Sequence, residues 1–479
     1  TRGIEEDYII DYNRGELSFT NKKLITINSR IIVEFEYVDQ SFQRSLYAVN
    51  SELEAEKYRF YFSVFSQQDS KNALGDTELS VMDRLALQEI GDDLDNAFAS
   101  GIDTLEDGFQ EARVQYELRD TFYFLFNENT NQNDTVFSNV LIYSIDPNKA
   151  QYTARFTEVG QGNGNYRLTL SNNANGRVYE WIAPDALTGA LQGDYEPIQR
   201  LTAPKKQQLY TLGTDWKISK NASLKTEVAL SNNDLNRFST KNNNDNLGTA
   251  LFADYQLNRS FGKQKWELQT NLKYEFVQQN FKALNPYRDA EFNRDWNIGL
   301  TNNQPAVNEH IGKGGFQLNK AKEFQLAYEF SGFSRVNLYR GLKHFFDANY
   351  KKSGYDLRIY GSFLDTKTDL EYSQFLRPKI DLSKTFKKLK NWRLGVYGER
   401  EQNELVDAIA DTLKATSFYW DLYKVYLESP TGKSFNWNIN YTKRYDYAPK
   451  FAKFLKSTVA DEVNLNGFWN AKRTSQLKW

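Results

Sequence analysis

The sequence predicts an all-β protein whose larger part is an antiparallel transmembrane β-barrel of about 12–14 strands, preceded by small β-rich modules with one helical insertion. Three observations carry that expectation. Aromatic residues make up 15 % of the chain, with 33 Phe and 30 Tyr against one Met, and barrels place such residues in girdles at both membrane interfaces. Segments of about 9 to 13 residues after position 205 alternate strictly between apolar and polar, the period of a strand with two different faces. The connections between them alternate between short and long, as short periplasmic turns and longer outer loops require.

Composition narrows the functional classes. No stretch approaches 18 consecutive apolar residues, so a transmembrane helix is not predicted. A barrel strand is apolar only at every second position and escapes that test. The chain has no Cys, which removes disulfides and thiolate ligands. A net charge of −2 gives no field that favours nucleic acid.

From the beginning of the chain, residues 1–50 read as a small β-module. Tyr8 to Tyr12 is a strand, Asn13-Arg14-Gly15 a turn, and Glu16 to Thr20 a second strand. Ser29 to Tyr37 alternates, with Ile31, Val33, Phe35 and Tyr37 opposite Ile32, Glu34 and Glu36. So small a sheet needs something to pack against. Residues 51–204 form a second β-rich region. Tyr58 to Phe65 is an aromatic strand, and residues 78–98 hold a helix, with Leu79, Met82, Leu85, Ala86 and Ile90 on one side and Asp83, Glu89, Asp92 and Asp93 on the other. Strands follow at 113–119, 121–126, 136–145, 151–159 and 165–170. The run Gly160 to Asn165 lies between strands with no helix behind it, so it reads as a turn and not as a phosphate loop.

Residues 205–479 carry the barrel strands. In the clearest, Trp266, Leu268, Thr270, Leu272, Tyr274 and Phe276 share one face, and Glu267, Gln269, Asn271, Lys273 and Glu275 the other. Residues 224–230, 324–330, 355–359 and 435–441 repeat the pattern, the last with Asn436, Asn438, Asn440 and Thr442 on a face suited to a wet lumen. Short turns are expected at 219–223, 258–264, 319–322, 351–354, 387–390 and 429–433. Longer loops are expected at 232–248, 279–308, 365–374, 401–416 and 444–461. The loop 279–308 is expected to be external and mobile, since Asn285-Pro286 and Gln304-Pro305 interrupt it. Trp479 reads as the terminal aromatic of a barrel or as a cut within one, the cut being favoured.

The sequence nominates no catalytic, cofactor-binding or metal-binding residues. Its two histidines, His310 and His344, are far apart and have no ligand spacing. His310 falls in a loop beside Glu309, and His344 in a strand at the lumen or interface. The acidic cluster Asp92, Asp93, Asp95, Asp103, Glu106 and Asp107 lacks the order of a calcium loop. Among 62 acidic residues no carboxylate pair is singled out, and there is no Gly-x-Ser-x-Gly elbow. Lys384, Lys387, Lys388 and Lys390 beside Trp392 read as a charged turn at a membrane surface.

The stretch DYIIDYNRGELSFTNKKLITINSRIIVEFEY, residues 7–37, resembles a small β-module of large outer-membrane proteins of Bacteroidota, including the giant barrel of the type IX secretion translocon linked to gliding motility. VGQGNGNYRLTL at 159–170, the later VYEWIAP and GDYEPIQRLTAPKK, and NPYRDAEFNRDWN at 285–297 resemble segments of uncharacterised outer-membrane proteins from the same phylum. The resemblance implies an outer-membrane location and no activity. A plug domain or TonB box is not recognisable. The expectation is a non-enzymatic outer-membrane protein in contact with lipid, serving transport, secretion or envelope assembly, with other envelope proteins binding through residues 1–204. The alternatives are a surface-exposed binding or adhesion protein using its outer loops, and a membrane-embedded hydrolase.

Overall fold

The computed structural model describes residues 6–11, 16–20, 31, 33, 42–73, 79–105, 108–109, 113–127, 130–169, 177–263, 266–299, 305–430, 435–450, 452–472 and 475–478. The chain is all-β. It opens with a hairpin of β1 (Tyr8–Asp11) and β2 (Glu16–Phe19), in which Tyr8 pairs with Phe19. The alternating stretch Ser29 to Tyr37 lies, apart from Ile31 and Val33, outside the described residues.

Next come β3 (Phe42–Glu54) and β4 (Tyr58–Ala73), an antiparallel hairpin. Its in-sequence successor in the sheet is not its next element. A helix, ten short strands and their connections intervene before β15 (Lys206–Ser219), which pairs along β4 from Tyr58↔Trp216 to Gln68↔Lys206. The intervening residues 74–205 are therefore an insertion between two adjacent strands. The sheet begins with β3 and β4, before the boundary drawn at 205.

The insertion begins with α1 (Val81–Ile90). Ser80 and Asp83 exchange a reciprocal cap, Asp83 N donating to Ser80 Oγ at 3.1 Å and Ser80 N to Asp83 Oδ2 at 2.9 Å. Gly91, at φ +71°, ends the helix where L residues are strained. The helix is shorter than the expected 78–98, and its buried side differs. Leu87 is fully buried with Ala97, Leu201 and Ala203, whereas Met82 and Leu85 are exposed. Then follow β5 (Phe98–Ser100), β6 (Ile102–Thr104), β7 (Tyr116–Asn127), β8 (Gln132–Tyr143), β9 (Tyr152–Ala154) and β10 (Thr157–Glu158). After them come β11 (Tyr166–Thr169), β12 (Val178–Trp181), β13 (Tyr195–Glu196) and β14 (Ile198–Arg200). The sequence read 113–119 and 121–126 as two strands. They are one, β7, paired with β8 across Arg119 to Thr121 without a break.

Two four-stranded sheets, ordered β6-β9-β7-β8 and β10-β13-β11-β12, enclose an aromatic core of Tyr116, Tyr166, Tyr179 and Leu141, with Phe156 stacked on Tyr179 at 4.3 Å. The buried hydroxyls are satisfied by backbone: Tyr116 accepts from Tyr179 N at 3.1 Å and Tyr166 from Leu141 N at 3.0 Å. β5 pairs with β14, so the first and last strands of the insertion clasp each other.

The large sheet continues as a meander. Its strands are β16 (Ala222–Asp234), β17 (Leu247–Phe261), β18 (Trp266–Val277), β19 (Glu309–Lys320), β20 (Phe324–Arg335), β21 (Tyr339–Lys352) and β22 (Tyr355–Lys367). Beyond them lie β23 (Glu371–Phe386), β24 (Trp392–Asp407), β25 (Phe418–Glu428), β26 (Phe435–Lys450), β27 (Lys453–Lys472) and β28 (Ser475–Lys478). Sixteen strands form one sheet, each pair antiparallel, from β3 at one edge to β28 at the other. Fourteen of them follow residue 205, within the expected count. The sheet is not closed: among the described residues β3 pairs only with β4, and β28 only with β27.

The short turns fall where expected, between Ser219 and Ala222, Lys320 and Phe324, Lys352 and Tyr355, and Glu428 and Phe435. Two expected long loops do not exist. β22 and β23 are joined by residues 368–370, and β26 and β27 by 451–452. Their polar residues sit instead in strands that run on, 16 residues in β26 and 20 in β27.

Docking of the insertion onto the sheet rests on one loop. Asn236, fully buried between β16 and β17, donates through Nδ2 to Leu87 O at 2.7 Å and Gly91 O at 2.6 Å, and Ser239 Oγ donates to Gln88 O at 2.8 Å. Asn236→Ala leaves two buried carbonyls without their donor. It is expected to cost about 1–3 kcal/mol of docking stability, read as faster proteolysis near α1 while the strand content by circular dichroism stays unchanged.

Candidate functional site: the inner face of the sheet

Antiparallel register fixes which side chains share a face. On the outer face, Leu268, Leu272 and Tyr274 of β18 continue through Leu318 and Phe316 of β19 and Leu326 and Phe330 of β20. Leu357, Ile359 and Phe363 of β22 and Ile380 and Leu382 of β23 extend the band. At the end with the short turns this face carries aromatic rings on strand after strand: Tyr58 opposite Trp216, Phe261 opposite Trp266, Phe324 opposite Tyr350, and Phe386 opposite Trp392. Trp266 lies 5.8 Å from Phe324 and Trp392 5.1 Å from Trp437, both edge-on. Lys384, which the structure places near the end of β23 and not in the basic turn, sits 3.3 Å from the centre of the Tyr355 ring.

Both histidines are on this outer face. His310 Nδ1 is 2.9 Å from Tyr274 Oη, and His344 Nδ1 is 2.8 Å from Tyr328 Oη. His310 is thus the second residue of a strand and not part of a loop. The acidic cluster also disperses: Asp95 faces Arg200 at 3.5 Å, Asp93 accepts from Asn96, and Glu106 and Asp107 lie outside the described residues. No group of three metal-ligating side chains occurs among the described residues. Among the described residues no helix is long and apolar enough to cross a membrane.

The inner face is polar, and one row of it runs straight across the strands. In register stand Arg59, Asp215, Lys225, Asp254, Lys273, Lys313, Ser331 and Lys343, from β4 to β21. Opposite signs alternate as far as Lys273, and Arg59 binds Asp215 at 3.2 Å. Lys313 then breaks the alternation by standing directly beside Lys273, an arrangement that repels.

Onto this face folds the segment expected to be an external, mobile loop. Residues 279–299 leave β18 and turn inward. The Phe281 backbone lies against Gly248 so closely that a Cβ there would overlap it, and Lys282 N donates to the buried Ser231 Oγ at 3.0 Å. Arg288 bridges Glu275 at 2.5 Å and Glu309 at 3.3 Å. A single helical turn, α2 (Phe292–Asp295), brings Asp295 to Arg377 at 2.9 Å and Lys343 at 3.3 Å, and Arg294 to Glu401 at 3.0 Å. Asn297 reaches Ser373 at 2.7 Å and Asn403 at 3.0 Å. One short segment touching strands from β16 to β24 through the same face requires that face to be concave.

The seat of α2 is apolar. Trp296 packs with Ile311, Phe333, Tyr339, Leu364 and Phe375, all on the inner face, and the Tyr339 hydroxyl donates to Trp296 O. Sequence reasoning missed this because Pro286 and the Asn- and Asp-rich composition argued against a strand, and absence of a strand was read as mobility. The available signal was the isolated apolar pair Phe292 and Trp296 with Ile298, three large side chains that an external loop has no reason to carry. The arrangement fills part of this concave face.

Two predictions follow from the seat. Trp296→Ala should weaken it by about 3–5 kcal/mol, the usual cost of removing a buried Trp, and raise hydrogen exchange at 287–299 without altering exchange in β18. Burial pushes Asp295 upward, but Lys343 and Arg377 outweigh it and hold the carboxyl below its ordinary value. A depressed folded pKa stabilises above the unfolded value of about 3.9 and ceases to do so as pH falls through the folded one. Exchange protection of the segment should therefore be flat from neutral pH to about 5 and fall below about 4; Asp295→Asn should be less protected at neutral pH and should lose that step.

Residues 1–39 match a family described as Domain of unknown function (DUF8818), a stretch that includes the β1–β2 hairpin and none of the large sheet. No curated protein matches the chain.

Proposed function

We propose that the chain is a non-enzymatic outer-membrane protein whose sheet spans the lipid and whose inner face forms an obstructed passage. The observation that carries this reading is the pairing of two unlike faces on one sheet. An apolar outer band ends in an aromatic girdle at the short turns, as at a membrane interface, while the inner face bears a transverse row of charges. From Trp266 to Phe276 the outer face of β18 is long enough for a tilted strand to cross the hydrocarbon. In lipid, both free edges must be covered. The even strand count brings β3 and β28 antiparallel to each other, the sense in which antiparallel barrels close. The likeness of residues 7–37 to Bacteroidota outer-membrane modules supports the location, and transport, secretion and envelope assembly are the roles compatible with it.

A second reading is favoured by the insertion. It leaves the sheet at the end opposite the short turns, so in this orientation it stands outside the cell, and its β7–β8 hairpin exposes Phe122, Phe124 and Phe137. A surface-binding role would use that hairpin, and the envelope partners expected for residues 1–204 would meet it from outside.

The test uses protein extracted in mild detergent and placed in vesicles. Spin labels at Leu272 and Tyr274 should be shielded from a polar quencher, and labels at Gln269 and Lys273 should not; equal accessibility on the two faces overturns the membrane reading. Vesicles with the intact protein should conduct poorly. Replacing residues 281–297 with a Gly-Ser linker should raise conductance at least tenfold, and an unchanged conductance rules out a passage.

A further inference from the structure

We infer that the space between the inward segment and the sheet is a binding site for a small amphiphilic anion, a molecule with one apolar body and one carboxylate or similar head. The inference rests on reading the inner face as a passage. Two cavities adjoin there, sharing Glu275 and Tyr287 in their linings. The first, of about 360 Å³, is lined by Leu209, Ala229, Phe252, Val277, Phe281 and Ala283 together with the charged Lys225, Glu227 and Glu275, Glu227 accepting from Tyr61 Oη at 2.5 Å. Most of that lining is apolar, as is the seat of Trp296 farther along the same face. The second, of about 310 Å³, contains Lys273, Lys313 and Lys343.

The two lysines that stand side by side in register assign the head. In the second cavity Glu275 is held by Arg288, Asp295 by Lys343 and Arg377, and Glu291 by Arg294. Glu329 accepts from Ser331 at 2.9 Å, and Asp289 is exposed. Lys273 and Lys313 make no ion pair among the described residues, although they stand side by side in register; Asp254 flanks Lys273 on the other side, and no carboxylate flanks Lys313 in register. Lys273 instead lies 4.9 Å from the centre of the Phe252 ring, at the border with the apolar compartment. Lys225, two positions along the row, lines that compartment and is likewise without an ion pair among the described residues. An anion between Lys273 and Lys313 would relieve their repulsion, and its apolar body would fill the neighbouring space.

Equilibrium dialysis of the detergent-solubilised full chain, corrected with protein-free micelles, tests this. The probes are 4-phenylbutyrate, the neutral 4-phenylbutan-1-ol, and acetate. Phenylbutyrate should bind saturably and at least tenfold more tightly than either the alcohol, which lacks the head charge, or acetate, which lacks the body. The double variant Lys273→Gln/Lys313→Gln should bind phenylbutyrate no better than the alcohol and leave alcohol binding unchanged. Ala250→Trp, which fills the apolar compartment, should weaken both. Absence of saturable phenylbutyrate binding, equal affinity for the two phenyl probes, or retained preference in the lysine variant overturns the inference. Slower migration after boiling should confirm that each variant is folded before dialysis. Binding in micelles does not depend on conduction, so a failed vesicle experiment with intact binding would reject the passage and leave the site.

Discussion

Backbone pairing at a period of two is the constraint on which the rest of the molecule depends. Each strand of the large sheet must satisfy its amide and carbonyl groups through its neighbours, and each residue must then point to one face or the other. A slip of one residue in β18 would turn Leu272 inward and Lys273 outward, against the faces of β17 and β19 on either side. The apolar band, the aromatic girdle and the transverse charge row are three consequences of one register. None could be shifted without the others.

That register also explains why a polar face can hold a folded segment. The segment is fixed at its centre by apolar contact, Trp296 against Phe333 and Phe375, and at its flanks by charge, Arg288 on Glu275 and Arg294 on Glu401. The division is physically apt. Apolar burial holds without regard to salt or pH, whereas ion pairs on a wet surface are weak and screened. A segment held mainly by Trp296 and tuned by Asp295 is seated firmly yet remains responsive to the composition of the fluid around it.

Much of the sheet was legible in the sequence, because strict alternation in a segment such as Trp266–Phe276 has one reading. The short turns were legible for the same reason. What escaped were features set by long-range contact. Residues 444–461 were expected to form a loop, yet they pair, Tyr445 with Val459 and Asp446 with Thr458, and only that cross-strand pairing, between residues far apart in the segment, makes them strand. α1 was placed by periodicity, but its buried side was not, because Leu87 is buried by Leu201 and Ala203 from more than a hundred residues away. The partnership of Tyr58 with Trp216 has no local signal at all. The site was less legible than the fold: the charge row exists only once eight strands are aligned.

The clasp between β5 and β14 has a consequence for how the molecule assembles in time. Joining β4 to β15 closes a chain loop of residues 74–205, and such closures slow folding because their entropy must be met before the contacts they enable are made. β14 returns the chain to β5, and the small domain behind it folds on contacts of its own, around Tyr116 and Tyr166. Once that domain has formed, the effective separation between β4 and β15 shrinks from the whole insertion to residues 74–97 and 201–205, which link the clasp to the sheet. The hairpin β3–β4 would then be the last part of the meander to add, waiting on an independently folding passenger, and the order of strand addition would run against the order of synthesis.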